Sequence, residues 1–203
     1  MTKKGKRAGR SPKGGPGLPL KKKVEIRTPR AKAHGVLANN TVHVFVDDQN
    51  LFWGIVNREM GPGFRIDFGR LLLEAAKDSS GNARVVGVAY IAGVVPDDDS
   101  FWEIARNRGW TVKRGFLGSQ GRSKQDDAYL ITEMTAALYE QAGPSTMVLI
   151  AGDADYVPPL EKSRDKGWRN EVAFIGSGVS VALEAVTHQF RPINPSNIQH
   201  FPS

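Results

Sequence analysis

Short runs of apolar, β-favouring residues alternate along the chain with longer stretches in which apolar residues return every three or four positions. Val42, Val44, Phe45 and Val46 form the first run, which stops abruptly at Asp47, Asp48, Gln49 and Asn50, as a buried strand ending in a polar loop does. Runs at 84–91, 111–116, 147–150 and 171–175 predict four further strands. Helical spacing predicts helices over 51–59, 67–77, 98–108, 125–141 and 156–166, and a weaker one over 179–188. Gly109, Gly143 and Gly167 stand where left-handed C-terminal caps belong. The stretch 191–203, with three prolines, predicts an irregular strap over the domain or a loose terminus.

Near-regular alternation of strand and helix predicts a three-layer α/β/α fold around a mostly parallel sheet, because parallel neighbours need crossover connections and these are usually helical. The folded domain is expected over 41–190. With 203 residues, 40% of them hydrophobic, and nine Phe, four Trp and four Tyr, the chain can bury a core.

Charge changes the picture at the N-terminus. Residues 1–34 hold twelve Lys and Arg against one acid, Glu25, so of the net +7 this segment carries +11 and the rest −4. Rich in Gly and Pro as well, it cannot bury enough apolar surface to fold alone, and 1–40 is expected to be a disordered basic arm. It is either an arm for a polyanion, above all nucleic acid, or a solubility and targeting segment.

There is no cysteine, which excludes disulfides, thiolate zinc sites and cysteine nucleophiles and leaves any metal to oxygen or imidazole ligands. No apolar run approaches the roughly 20 residues that span a bilayer, and the N-terminus lacks the apolar core of a signal peptide. A soluble cytoplasmic protein with no membrane partner is expected.

In an open α/β sheet ligands collect beyond the carboxyl ends of the strands, and there the chain places aspartates. Asp47 and Asp48 follow the first strand with Asn50 close behind; Asp153 and Asp155 follow the strand at 147–150; Asp126 and Asp127 open the long helix. Any one pair could simply cap a helix. Three pairs at equivalent positions exceed what capping needs, since clustered carboxylates repel unless a cation is present, and all-oxygen ligation suits Mg²⁺ or Mn²⁺.

On the helix, Asp127 lines up with Met134 and Leu138, and Ile131 lies close to the same stripe, so Asp127 is expected to top the buried face. Glu133 falls about 120° away, on the expected solvated surface. Asp126 is intermediate and is expected to complete a capping box from Ser123. The loop 118–124, with Arg122 and Lys124, either grips a phosphodiester or is ordinary solvated surface. His34, His43, His188 and His200 show no metal-ligand spacing.

Three motifs carry a resemblance. The segment Val44-Phe45-Val46-Asp47-Asp48-Gln49-Asn50-Leu51, the helix start Lys124-Gln125-Asp126-Asp127-Ala128-Tyr129-Leu130, and Ala151-Gly152-Asp153-Ala154-Asp155-Tyr156-Val157-Pro158 together resemble the NYN domain, a branch of the PIN-like ribonuclease superfamily that includes LabA-like bacterial proteins. The likeness runs from Val42 to about Phe190. Asp48-Gln49 stands where the family usually has Gly-Glu, Ala151 and Ala154 replace small hydroxyl residues, and Glu133 replaces an aspartate common in relatives.

The resemblance implies a PIN-like, metal-dependent nuclease with RNA as substrate. Asp47, Asp127, Asp153 and Asp155 would hold the metal and Asn50 would orient a ligand or phosphate. Asp153 or Asp155 would take the proton of the attacking water, and one metal or two remain equally open. An RNA-binding or regulatory module without useful turnover is the alternative. A phosphoryl transferase using Asp47 as nucleophile would need a second carboxylate where Gln49 stands.

Overall fold

The computed structural model describes residues 40–61, 63–94, 100–117, 123–176 and 178–201; nearly all of the expected basic arm lies outside the described residues. The apolar runs form a six-stranded sheet of β1 (Thr41–Asp47), β2 (Val85–Gly93), β3 (Thr111–Arg114), β6 (Thr146–Ile150), β7 (Arg169–Phe174) and β8 (Gln189–Pro192), in the order β3-β2-β1-β6-β7-β8. Every neighbouring pair is parallel. All five residues of β6 are buried, as befits a central strand covered on both faces.

Adjacent residues of β7 show the two covered faces. Asn170 donates its side-chain amide to Leu160 O and Val186 O, in α5 (Val157–Asp165) and α6 (Val181–Val186). Glu171 points the other way, to arginines that also reach the end of α2 (Phe68–Ala76). On the α5 side, α4 (Asp126–Glu140) packs across β1 and β2 and buries Leu130, Met134, Ala137 and Leu138. The sequence therefore folds as an α/β/α sandwich, and no helix among the described residues is long and apolar enough to cross a membrane.

Three local differences from the expected elements have physical causes. α1 (Asp48–Ile55) starts three residues earlier than the apolar spacing suggests, because Asp47 Oδ1 accepts the Asn50 amide at 2.9 Å and caps it; the helix then continues as a π turn over Val56–Met60. The strand expected over 111–116 breaks at Gly115, whose amide bonds to Gly93 O. Beyond it β4 (Phe116–Leu117) pairs antiparallel with β5 (Ser123–Lys124).

The stretch expected to be an irregular strap begins inside β8 and continues through α7 (Pro195–Ile198). There Ile198 O accepts the Asp67 amide and His200 donates its amide to Arg65 O, each at 2.8 Å. An edge strand of four residues ending in proline carries too little pattern to be seen locally. The remaining helix, α3 (Ser100–Asn107), covers β3 and buries Trp102.

Candidate metal centre

The chain fills one half of the sheet outward from β1 through β2 to β3, then returns to the other side of β1 for β6, β7 and β8. The reversal opens a crevice beyond the carboxyl ends of β1 and β6. Asp47 ends β1, and three residues on, Asn50 Oδ1 accepts the Gly152 amide at 2.7 Å, tying the start of α1 to the loop after β6. Gly152 is required here: a Cβ would meet Gly178 O at 2.5 Å, in the segment whose Ser180 amide bonds Gly152 O.

α4 supplies the third wall. Gln125 precedes it in the left-handed conformation (φ 79°) and makes no side-chain cap. The expected capping box is thus not formed, and Asp126 is turned inward and buried instead. Asp126 and Asp127 flank the stripe of Leu130, Met134 and Ala137 on either side, so both reach the crevice.

Asp47, Asp126 and Asp127 each offer a carboxylate oxygen within 4.8 Å of the others. Asp47 and Asp126 are only 4% and 3% exposed, and no lysine or arginine among the described residues pairs with any of the three. Burial lifts the Asp47 carboxyl to about 7, against the hydrogen bonds from the Asn50 amide and Tyr156 and with the Asp127 and Asp126 charges adding to the rise. Asp127 is likewise raised, by burial and then by Asp126. Asp48, fully enclosed beside them, is lifted to about 7 by burial and the Asp126 charge.

The Tyr156 hydroxyl sits among these groups, 2.8 Å from Asp47 Oδ2 and 3.1 Å from Asp127 Oδ1. A phenol has one hydrogen to donate, so the second contact needs a proton on one of the carboxyls, which their raised pKa values supply. Burial and both carboxylates push the phenol itself upward. Three acids this close, two of them buried, Asp47 partly protonated near neutral pH and none paired with a cationic side chain among the described residues, form a donor set that fits a hard divalent ion.

The other expected site residues fall at different distances. Asp153 is exposed and lines the same cavity, its Oδ1 accepting the Asp155 amide at 3.1 Å. Asp155 is exposed and does not line it. Asn50 lines the cavity while holding Gly152. Arg122 and the Lys124 side chain lie outside the described residues. Glu133 is held 2.6 Å from Lys113 on β3 and is not one of the three gathered acids, an ion pair rather than a freely solvated face. His43 is buried against Trp168, and burial lowers its pKa.

Sequence reasoning missed Asp126 and Tyr156. The doubled aspartate was visible, but the left-handed Gln125 that turns Asp126 inward was not. Tyr156 read as one more apolar residue beginning a helix; a phenol next to Asp155, where polar reach would serve the strand-end acids, was the available signal.

In comparison with solved structures, the chain is similar to a protein of unknown function from Vibrio parahaemolyticus, with a TM-score of 0.61 at 16% identity, covering 79% of this chain and 96% of that one. That likeness shows the shared fold. None of the curated proteins matches the chain. The family model of the NYN domain matches residues 41–194, spanning all six strands of the sheet and every acid of the crevice, and the chain belongs to the NYN domain family.

Proposed function

We propose that this protein is a nuclease that hydrolyses RNA phosphodiester bonds with Mg²⁺ or Mn²⁺ held by Asp47, Asp126 and Asp127. The observation that carries the reading is the convergence of three carboxylates within 4.8 Å of one another at the strand-order reversal, with no cationic side chain among the described residues paired to offset them. When bound, the ion neutralises charge on the phosphate and lowers the pKa of a coordinated water.

The chain's own residues have distinct tasks in this mechanism. Asp47 and Asp127 would hold the ion as carboxylates, giving up the proton they share in the free protein. Tyr156 keeps these two carboxylates in register, its hydroxyl then free to donate to one of them. Asn50 fixes the Gly152 loop and with it Asp153, which is exposed and lines the cavity, and in this reading Asp153 accepts the proton of the attacking water. Asp155 is assigned no contact with substrate. The basic segment 1–34 and the residues Arg122 and Lys124 neutralise backbone phosphates.

The test is cleavage of RNA by the purified full chain with Mn²⁺, with EDTA, and as Asp127→Asn. The expected outcome is metal-dependent cleavage that Asp127→Asn lowers by more than about a hundredfold, the upper end for groups that merely support a ligand, with little change in RNA binding. Deleting residues 1–34 should flatten the dependence of affinity on salt while cleavage chemistry survives. RNA binding without cleavage under any divalent ion would replace this reading with that of a binding module.

A further inference from the structure

The cavity that holds the carboxylates has a second wall. Gln49, Asn50, Trp53, Gly54 and Asn57 line it, a spacing of one, four, five and eight residues that makes one face of α1 and its π extension. Leu51 and Ile55 point from the same helix into the core, and Gly54 lets the helix lie against Phe174, whose ring would stand 2.9 Å from a Cβ there. The helix face is therefore fixed in position. Its one large side chain at the cavity is Trp53, 54% exposed, standing one helical turn, roughly 5 Å, along the axis from Asn50.

An indole is costly to leave in water, and the other three tryptophans, Trp102, Trp110 and Trp168, are 0–3% exposed. Among the described residues Trp53 shares its cavity with polar groups, Gly54, Gly178 and the Phe174 ring, and its own ring meets Phe52 edge to face, 5.4 Å between centroids. Carboxylates repel a phosphate until a cation lies between them, so a strand is anchored at the metal end of the cavity and its neighbouring nucleotide falls along the α1 wall. Every base has a π-face that an aromatic side chain can cover, whereas in a duplex both faces are already stacked on neighbouring bases.

We infer that Trp53 is a stacking platform for an unpaired base beside the carboxylate cluster. The inference rests on the nuclease reading for the anchoring of the strand, and the experiment separates the two.

Because the other tryptophans are buried, acrylamide quenching of intrinsic fluorescence reports chiefly on Trp53. The full chain with Mn²⁺ is mixed in a stopped-flow instrument with a short single-stranded RNA, with the same sequence as a duplex, and with the same strand made abasic. Binding is thus read before turnover, and cleavage of each strand is then followed.

The expected result is that only the base-bearing single strand changes Trp53 emission and shields it from acrylamide. Trp53→Ala raises KM for that strand roughly fivefold to a hundredfold with kcat nearly unchanged, and Trp53→Phe recovers most of the loss. Normal cleavage with a silent Trp53, an unchanged KM in Trp53→Ala, or equal responses to duplex or abasic strand would overturn the platform and leave the nuclease reading standing. A base-dependent Trp53 response without cleavage would keep the platform and overturn the nuclease. No response and no cleavage would overturn both.

Discussion

Two groups of buried acid are handled in opposite ways by this fold. Glu171, on β7, is almost wholly enclosed and meets Arg84 at 2.8 Å and both Arg169 and Arg191 at 3.1 Å. Two of these arginines spend their remaining donors on the carbonyls of Glu74, Ala75, Ala76 and Lys77, at the C-terminal end of α2, where a helix leaves acceptors without partners. Burial pushes the Glu171 carboxyl up, but the arginines more than offset it and hold the group below its ordinary value.

Asp47, Asp126 and Asp127 bring their carboxylate oxygens within 4.8 Å of one another and have no such partner among the described residues. The same chain that can place three guanidinium groups around one carboxylate thus leaves three carboxylates to repel one another. The difference teaches where stability is being built and where it is being given up, and a deficit of positive charge at a crevice is what a cation from solution would fill.

Neutralising one acid at each place should therefore give opposite signs. Glu171→Gln leaves buried arginines without their counter-charge and should destabilise the fold by about 3 kcal/mol. Asp126→Asn removes repulsion and should leave the metal-free protein as stable as wild type or more so. Urea melts in EDTA decide this, and a loss at Asp126 equal to that at Glu171 would break the contrast.

Metal should sharpen it. At a hundredfold excess over its dissociation constant, Mn²⁺ should stabilise wild type by about 2.7 kcal/mol. The gain should survive in any Glu171 variant that still folds and vanish in Asp127→Asn. Thermal midpoints with and without Mn²⁺ measure it.

The two places also lose stability at different ends of the pH scale. Asp47 and Asp48 have values raised from 3.8 to about 7 in the folded chain, so their contribution is full below 3.8 and is lost as pH rises through about 7. Glu171 is held below 4.5, so its contribution is present above that value and is lost on acidification. Urea midpoints in EDTA should fall from mildly acidic to neutral pH, and Mn²⁺ should remove that fall because it binds the deprotonated ligands. A neutral limb that is flat in EDTA would contradict the carboxylate repulsion.

Tyr156→Phe should cost about 1 kcal/mol in EDTA, the usual worth of a hydrogen bond, and weaken Mn²⁺ binding by titration calorimetry. The smallest effect should come from Glu133→Gln. Loss of its partly exposed pair with Lys113 is worth under about 1 kcal/mol, and Mn²⁺ affinity should not change.

The sequence by itself determined the layers of this protein. Apolar runs such as Val42 to Val46 predict strands buried on both faces, and the periodicity of Ile131, Met134 and Leu138 predicts a helix on a sheet. Because strand ends and helix starts are local, Asp47, Asp127 and Asp153 were legible as residues of one sheet edge before any coordinates. What lay beyond local pattern had to be decided by tertiary structure. β8 exists because β7 offers it an open edge. Asp126 turns inward because Gln125 takes a left-handed backbone, while Asp155, two residues from Asp153, is carried to the surface by the short turn that begins α5. Tyr156 reaches Asp47 across 109 residues of chain. Periodicity records which face of an element is buried, but a metal centre depends on the direction of a few side chains at element ends, where one backbone angle redirects a carboxylate and only packing sets that angle.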